Sequence, residues 1–178
     1  MHRVTGIVLG FVLAAAMTAP ARGEAQTPSA SPPAPDCSAP EHRQFDFWLG
    51  SWDVTEKGKP AGTNTIAADL KGCVLLEQWT AASGGRGTSL NYYDRRTRSW
   101  HQAWIDDRGG SLRLTGGFQD GRMVMQTEPV PDAKGDPAVH RITWSAEADG
   151  SVRQLWETSK DEGKAWSTVF DGRYVKKR

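Results

Sequence analysis

Glu77, Gln102 and Gln154 each stand two residues before a tryptophan, in the triplets Glu77-Gln78-Trp79, Gln102-Ala103-Trp104 and Gln154-Leu155-Trp156. Each triplet lies in a stretch with strand character, and alternate strand side chains share a face, so every polar residue must point the same way as its indole. A half-buried strand ordinarily separates its polar and large apolar residues. Placing them together suits a lined cavity, in which an aromatic wall carries a few hydrogen-bonding groups. An inward carboxylate beside aromatic rings also acquires a raised pKa suited to proton transfer. Glu77 is therefore the first candidate for acid–base work, with His140 as its possible partner, and isomerisation of an apolar substrate is the reaction that pair would suit.

Strand parity extends the set of inward residues. Along the third strand Cys73, Leu75, Glu77 and Trp79 share a face, and along the fifth Trp100, Gln102 and Trp104 do. Val152, Gln154, Trp156 and Thr158 go inward on the ninth, and His140, Ile142 and Trp144 on the eighth, which leaves Arg141 outside. On the fourth strand the inward set is Ser89, Asn91 and Tyr93. The candidate ligand-binding residues are thus Glu77, Trp79, Asn91, Gln102, Trp104, His140, Trp144, Gln154 and Trp156. A buried Glu77 must be protonated, paired, or hydrogen-bonded to Asn91, Gln102 or water. The competing reading is a polar network that only fixes strand register around a filled core, since eight tryptophans can fill a small barrel.

The elements that position these residues are strands. Segments rich in Val, Ile, Thr, Trp and Tyr cover residues 51–57, 63–70, 73–81, 88–93, 99–105, 111–118, 123–128, 139–147, 152–159 and 165–175. Between them stand turn signals: Lys71-Gly72, Arg108-Gly109-Gly110, Asp120-Gly121, Asp149-Gly150 and Glu162-Gly163,. The one long connection, 129–137, reads as a lid or a loose loop. A short helical turn within 41–49 precedes the first strand. Ten consecutive antiparallel strands either expose two edges or close, and closure removes the edges. The expected fold is therefore all-β, a single up-and-down barrel of about ten strands.

The ends have other characters. Arg3 precedes an apolar run over 7–17 and then small residues, the pattern of a secretory signal peptide over 1–25; the run is too short to span a bilayer, which needs about 20 residues,. Residues 26–40 are Pro, Ala, Ser and Thr with almost no charge, a flexible tether, and 41–178 form the barrel domain,. Losing the signal removes Arg3, Arg22 and Glu24 from 22 basic and 21 acidic residues, leaving the signs balanced. That excludes an electrostatic footprint for nucleic acid or anionic membrane. Arg95, Arg96 and Arg98 form the one basic cluster and sit in an expected hairpin turn. Cys37 and Cys73 in a secreted chain read as one disulfide, and no zinc-ligand spacing is present,. There is no Gly-x-Ser-x-Gly elbow, and the glycine-rich 83–87 lacks the Lys-Ser/Thr ending of a phosphate loop.

Phe45-Asp46-Phe47-Trp48-Leu49-Gly50-Ser51-Trp52 resembles the entry to the first strand of the calycins, the lipocalin and fatty-acid-binding group of barrels, with Gly50-Ser51-Trp52 similar to their Gly-x-Trp signature. The resemblance implies that Trp52 closes one barrel end and that a basic residue of the last strand, here Arg173, packs on it. The ordered series from Phe45 to Tyr174, with Gly72-Cys73, Glu77, Trp79, Trp100, Gln102, Trp104, Gln154 and Trp156, is similar to secreted bacterial lipocalin-like domains of unassigned function. It implies a secreted or periplasmic barrel that binds a small, mostly apolar molecule, or alternatively a filled barrel that serves as a protein-interaction module. Some barrels of this shape, the nitrobindins, hold heme iron through a histidine on a late strand, a role that would fall to His140.

Overall fold

A computed structural model of the chain describes His2 and residues 37–177. The expected signal peptide and most of the expected tether lie outside the described residues. The folded part begins earlier than residue 41, because Cys37 is buried and joined by a disulfide to Cys73, 36 positions along the chain. Next come a one-turn helix, α1 (Pro40–Arg43), and a 3₁₀ turn, Asp46–Trp48. Among the described residues, no helix is long and apolar enough to cross a membrane.

Eleven strands follow: β1 (Gly50–Glu56), β2 (Lys59–Asp69), β3 (Val74–Ala81), β4 (Arg86–Asp94), β5 (Ser99–Asp106), β6 (Ser111–Gln119), β7 (Arg122–Gln126), β8 (Val130–Pro131), β9 (Pro137–Ala146), β10 (Val152–Ser159) and β11 (Ser167–Lys176). Each neighbouring pair from β1 to β7 is antiparallel, β7 continues to β9, β10 and β11, and β11 returns to β1 through Trp52↔Lys176 and Val54↔Tyr174. The result is a closed ten-strand antiparallel barrel with β8 as an extra strand. Closure gives every barrel strand two partners and leaves no exposed edge.

Two elements differ from expectation. The 129–137 connection is a small hairpin in which Val130 pairs with Ala138. Asp132 holds its turn, its Oδ1 accepting from the backbone N–H groups of Lys134 at 2.8 Å and Asp136 at 3.0 Å, while Lys160 reaches Asp132 Oδ2 at 2.5 Å. β2 begins at Lys59, four residues before the expected start, after a tight turn in which Lys57 and Gly58 both have positive φ. Pro60 lies where the β1–β2 register shifts between Val54 and Thr55, and such an irregularity is where a strand tolerates a residue without an N–H.

Because β1 enters from the helical segment, that end of the barrel can be called the bottom. It is filled. Phe45 and Trp48, both fully buried, stack on one another at 4.9 Å, and Trp144 packs edge-on to Phe45 at 5.2 Å. Trp100 meets Phe45 at 5.6 Å. Trp52 is also fully buried and donates from Nε1 to the Trp48 carbonyl at 2.9 Å. Gly50, at φ +133, makes the bend that turns the chain from this plug into β1, and a side chain at that φ would be strained.

The cation expected on Trp52 is a different one. Lys176, directly opposite Trp52 in the register, sets Nζ 5.4 Å from the indole centroid. Arg173 opposes Thr55, faces outward and pairs with Asp149. The correction follows from parity: on β11 the inward residues are Phe170, Gly172, Tyr174 and Lys176, and Arg173 is out of step with them.

Candidate functional site

β3, β5 and β10 run in the same direction, since each is separated from the next by an even number of antiparallel steps. In each triplet the chain therefore passes from the polar residue to the tryptophan while climbing away from the plug, a rise of about 6.5 Å over two residues. Glu77, Gln102 and Gln154 form a lower layer, and Trp79, Trp104 and Trp156 form the layer above it. Between them lies a cavity of about 260 Å³ that these six residues line together with Leu112, Ile142, Val169, Phe170 and Tyr174. An apolar cavity of about 150 Å³ admits benzene, so this one suits one or two rings.

Three glycines make the room. A Cβ on Gly87 would lie 2.1 Å from the Trp104 ring, and one on Gly62 would lie 2.7 Å from the Trp79 ring. A Cβ on Gly172 would lie 2.3 Å from Phe170. Each ring occupies the space over a neighbouring glycine and lies back against the wall, which keeps the centre open. Trp156 is fixed differently: its Nε1 donates to His140 Nδ1 at 3.1 Å.

The floor is a hydrogen-bonded network. Glu77, 4 % exposed, accepts from Asn64 Nδ2 at 2.7 Å on Oε1 and from Ser89 Oγ at 2.6 Å on Oε2. Asn91 Nδ2 donates to Ser89 Oγ at 2.8 Å and to the Leu75 carbonyl at 3.1 Å, and Gln102 Nε2 donates to Asn91 Oδ1 at 2.8 Å. Since a backbone carbonyl only accepts, the Leu75 contact fixes which way the Asn91 amide faces, and the directions through Gln102 and Ser89 follow,. Tyr174 Oη donates to Gln154 Oε1. Burial pushes the Glu77 carboxyl up to about 7, against the opposing effect of its two hydrogen bonds,. The Tyr174 hydroxyl is raised well above its ordinary range by burial and by the Glu77 charge.

Six of the nine expected ligand-binding residues thus line the cavity: Glu77, Trp79, Gln102, Trp104, Gln154 and Trp156. The other three do not. Asn91 is wholly buried behind Gln102, and Trp144 is part of the plug because β9 runs downward, carrying Ile142 into the cavity and Trp144 below it. His140 faces inward but is taken up by Trp156, so the Glu77–His140 acid–base pair is not assembled at this cavity. Heme does not fit these residues either. His140 Nδ1 is occupied, the residue does not line the cavity, and the linked pyrroles of a porphyrin exceed about 260 Å³. Among the described residues no group of three or more metal-binding side chains converges.

Asn64, Phe170 and Tyr174 were missed by sequence reasoning. Asn64-Thr65-Ile66 and Phe170-x-Gly172-x-Tyr174 carry the same two-residue period, but β2 places small and polar residues on both faces, and only the register with Glu77 shows which is inside. Against known proteins, no family model and no curated protein matches the chain.

Proposed function

We propose that this chain is a calycin-like barrel of an oxidising compartment, secreted or periplasmic, that binds a small and mostly apolar molecule between its three rim indoles. The observation that carries the reading is the cavity itself: a barrel plugged at one end by Phe45 and Trp48 is open at the other, with apolar walls and a polar floor. A few polar groups converging on an apolar cavity are the usual composition of a small-molecule site. The Cys37–Cys73 disulfide supports the compartment,, as does the basic and apolar start of the sequence. The filled-barrel reading describes the lower half alone.

The test is calorimetry with one- and two-ring compounds of each charge: neutral 2-phenylethanol and 2-naphthol, cationic 2-phenylethylamine and anionic 3-phenylpropanoate. At least one should bind with 1:1 stoichiometry, and Gly87→Val, which drives the Trp104 ring toward the centre, should weaken it at least ten-fold in a protein that still folds. No binding by any of them to the wild-type protein would overturn the proposal.

A further inference from the structure

We infer that the molecule taken by this cavity is a protonated amine, an ammonium group on a small apolar or aromatic body, with its nitrogen on the Glu77 carboxylate and its body between the indoles. The inference rests on the binding reading above and gives it a chemical class.

Three observations carry it. The first is an uncompensated charge site. Glu77 is 4 % exposed and lines the cavity, yet no Lys, Arg or His lines that cavity, and every salt bridge among the described residues is made elsewhere. A buried carboxylate needs a counter-charge or a proton. The described residues provide no counter-charge.

The second is the direction of the network. Gln102 donates to Asn91, Asn91 to Ser89, and Ser89 to Glu77, while Asn64 donates to the other carboxylate oxygen. A Ser89 oxygen that accepts from Asn91 has its own proton left for Glu77. This arrangement satisfies a carboxylate. Protonating the oxygen that Ser89 serves would set two donors against each other.

The third is the set of acceptors left over. Asn64 Oδ1 belongs to the carboxamide bonded to Glu77, is buried and has no donor. Gln102, with Nε2 committed to Asn91, keeps its carboxamide oxygen, for which the described residues supply no donor. At the cavity the Glu77 carboxylate is therefore joined by the Gln102 oxygen, with Asn64 Oδ1 buried behind them, and an ammonium has a donor for each of the two lining acceptors where a hydroxyl has only one,. A metal ion would want several such oxygens and no apolar walls. An amine on a ring wants both the carboxylate and the indoles, and aromatic faces favour a nearby cation in addition.

Titration at the floor isolates Glu77. β2, β4 and β5 present the uncharged Asn64, Ser89 and Gln102, β10 presents Gln154, and β11 presents Tyr174, whose raised hydroxyl stays neutral through the working range. His140, bonded to Trp156 at the rim and outside the cavity lining, is lowered by burial, which disfavours its charged form. An ammonium ligand binds the ionised Glu77, so its affinity rises with pH to a plateau above about 7.

The experiment compares matched bodies by calorimetry at pH 8 and low salt: 2-phenylethylamine, 2-phenylethanol and 3-phenylpropanoate. The amine should bind at least ten-fold tighter than the alcohol, and the acid should show no binding. Glu77→Gln should bring the amine down to the level of the alcohol, and the circular dichroism spectrum and urea transition of the variant report that it is folded. In the wild-type protein the amine should weaken towards ten-fold per pH unit below about 7, and the alcohol should not change. An alcohol or acid that binds as tightly as the amine, or an amine affinity that ignores pH, would overturn the inference and leave the binding cavity standing. Binding by none of the three, with 2-naphthol bound, would do the same. No binding at all would remove the cavity reading and this inference together.

Discussion

Trp100 and Trp104 stand four residues apart on β5, on the same face of the same strand, and do different work. Trp100 is 2 % exposed and closes the bottom against Phe45; Trp104 is half-buried and lines a cavity. What separates the two halves of the barrel is not residue type, since both are rich in tryptophan. In the lower half, the segment before β1 supplies Phe45 and Trp48 to fill the space between the walls. In the upper half no described residue enters the centre, and Gly62, Gly87 and Gly172 let the rings lie back. A barrel of this width is therefore a core where the chain threads it and a container where it does not.

The largest expected effect breaks that comparison directly. Trp48→Ala should cost about 3–5 kcal/mol, because it removes a wholly buried ring whose neighbours, Phe45 and Trp144, cannot collapse into the space,. Trp104→Ala removes a ring of the same size whose inner side already faces a cavity, and should cost about 1–2 kcal/mol while abolishing ligand binding. Urea denaturation of the two variants, with calorimetry on the second, measures both. Equal losses of stability would mean that the upper half is packed like the lower.

The second expected effect concerns the floor. Glu77 is pushed from 4.5 up to about 7 in the folded protein, so between those values the native state holds a proton that the unfolded chain has released. Stability from this group is present in full below about pH 4.5 and is lost as pH rises through about 7. The shift corresponds to roughly 3 kcal/mol. Denaturation curves at pH 5 and pH 8 should show the wild-type protein losing about that much relative to Glu77→Gln across the interval. Glu77→Gln removes this one carboxyl, so the difference in slope between the two proteins belongs to the cavity floor. Parallel curves for the two proteins would show that Glu77 is solvated or paired in the native state.

Much of this was legible in the sequence because it rests on alternation. The barrel and the inward faces of β3, β5 and β10 follow from a two-residue period with turn residues between, while the disulfide follows separately from two cysteines in a chain that reads as secreted. What alternation cannot give is depth. Parity puts Trp144 and Trp156 inside alike, and only the opposite directions of β9 and β10 assign one to the plug and the other to the rim. Nor does parity say whether inward indoles meet in the centre. That depends on Gly62 and Gly87, which lie on strands other than those of the rings they seat, so no local pattern links them. Asn64 joins Glu77 across thirteen residues and likewise has no local signature.

Parity also decides which cation meets Trp52, and it sets the smallest expected effect. The resembling motif gives that place to Arg173, but a shift of one residue along a strand moves a side chain to the other face. In the barrel Arg173 is a solvent-facing partner of Asp149, and Lys176 lies over the indole. Arg173→Ala should therefore change stability by less than about 0.5 kcal/mol, as an exposed ion pair does. Lys176→Ala should cost about 0.5–1 kcal/mol, since it removes both the cation and the aliphatic stem that packs near Gly50 and Trp52,. Each variant loses one positive charge, so comparing their urea midpoints isolates which side chain touches the closed end. A larger loss for Arg173→Ala would mean that the cation at the bottom of the barrel is Arg173, which requires β11 to be displaced by three residues from the pairing Trp52↔Lys176.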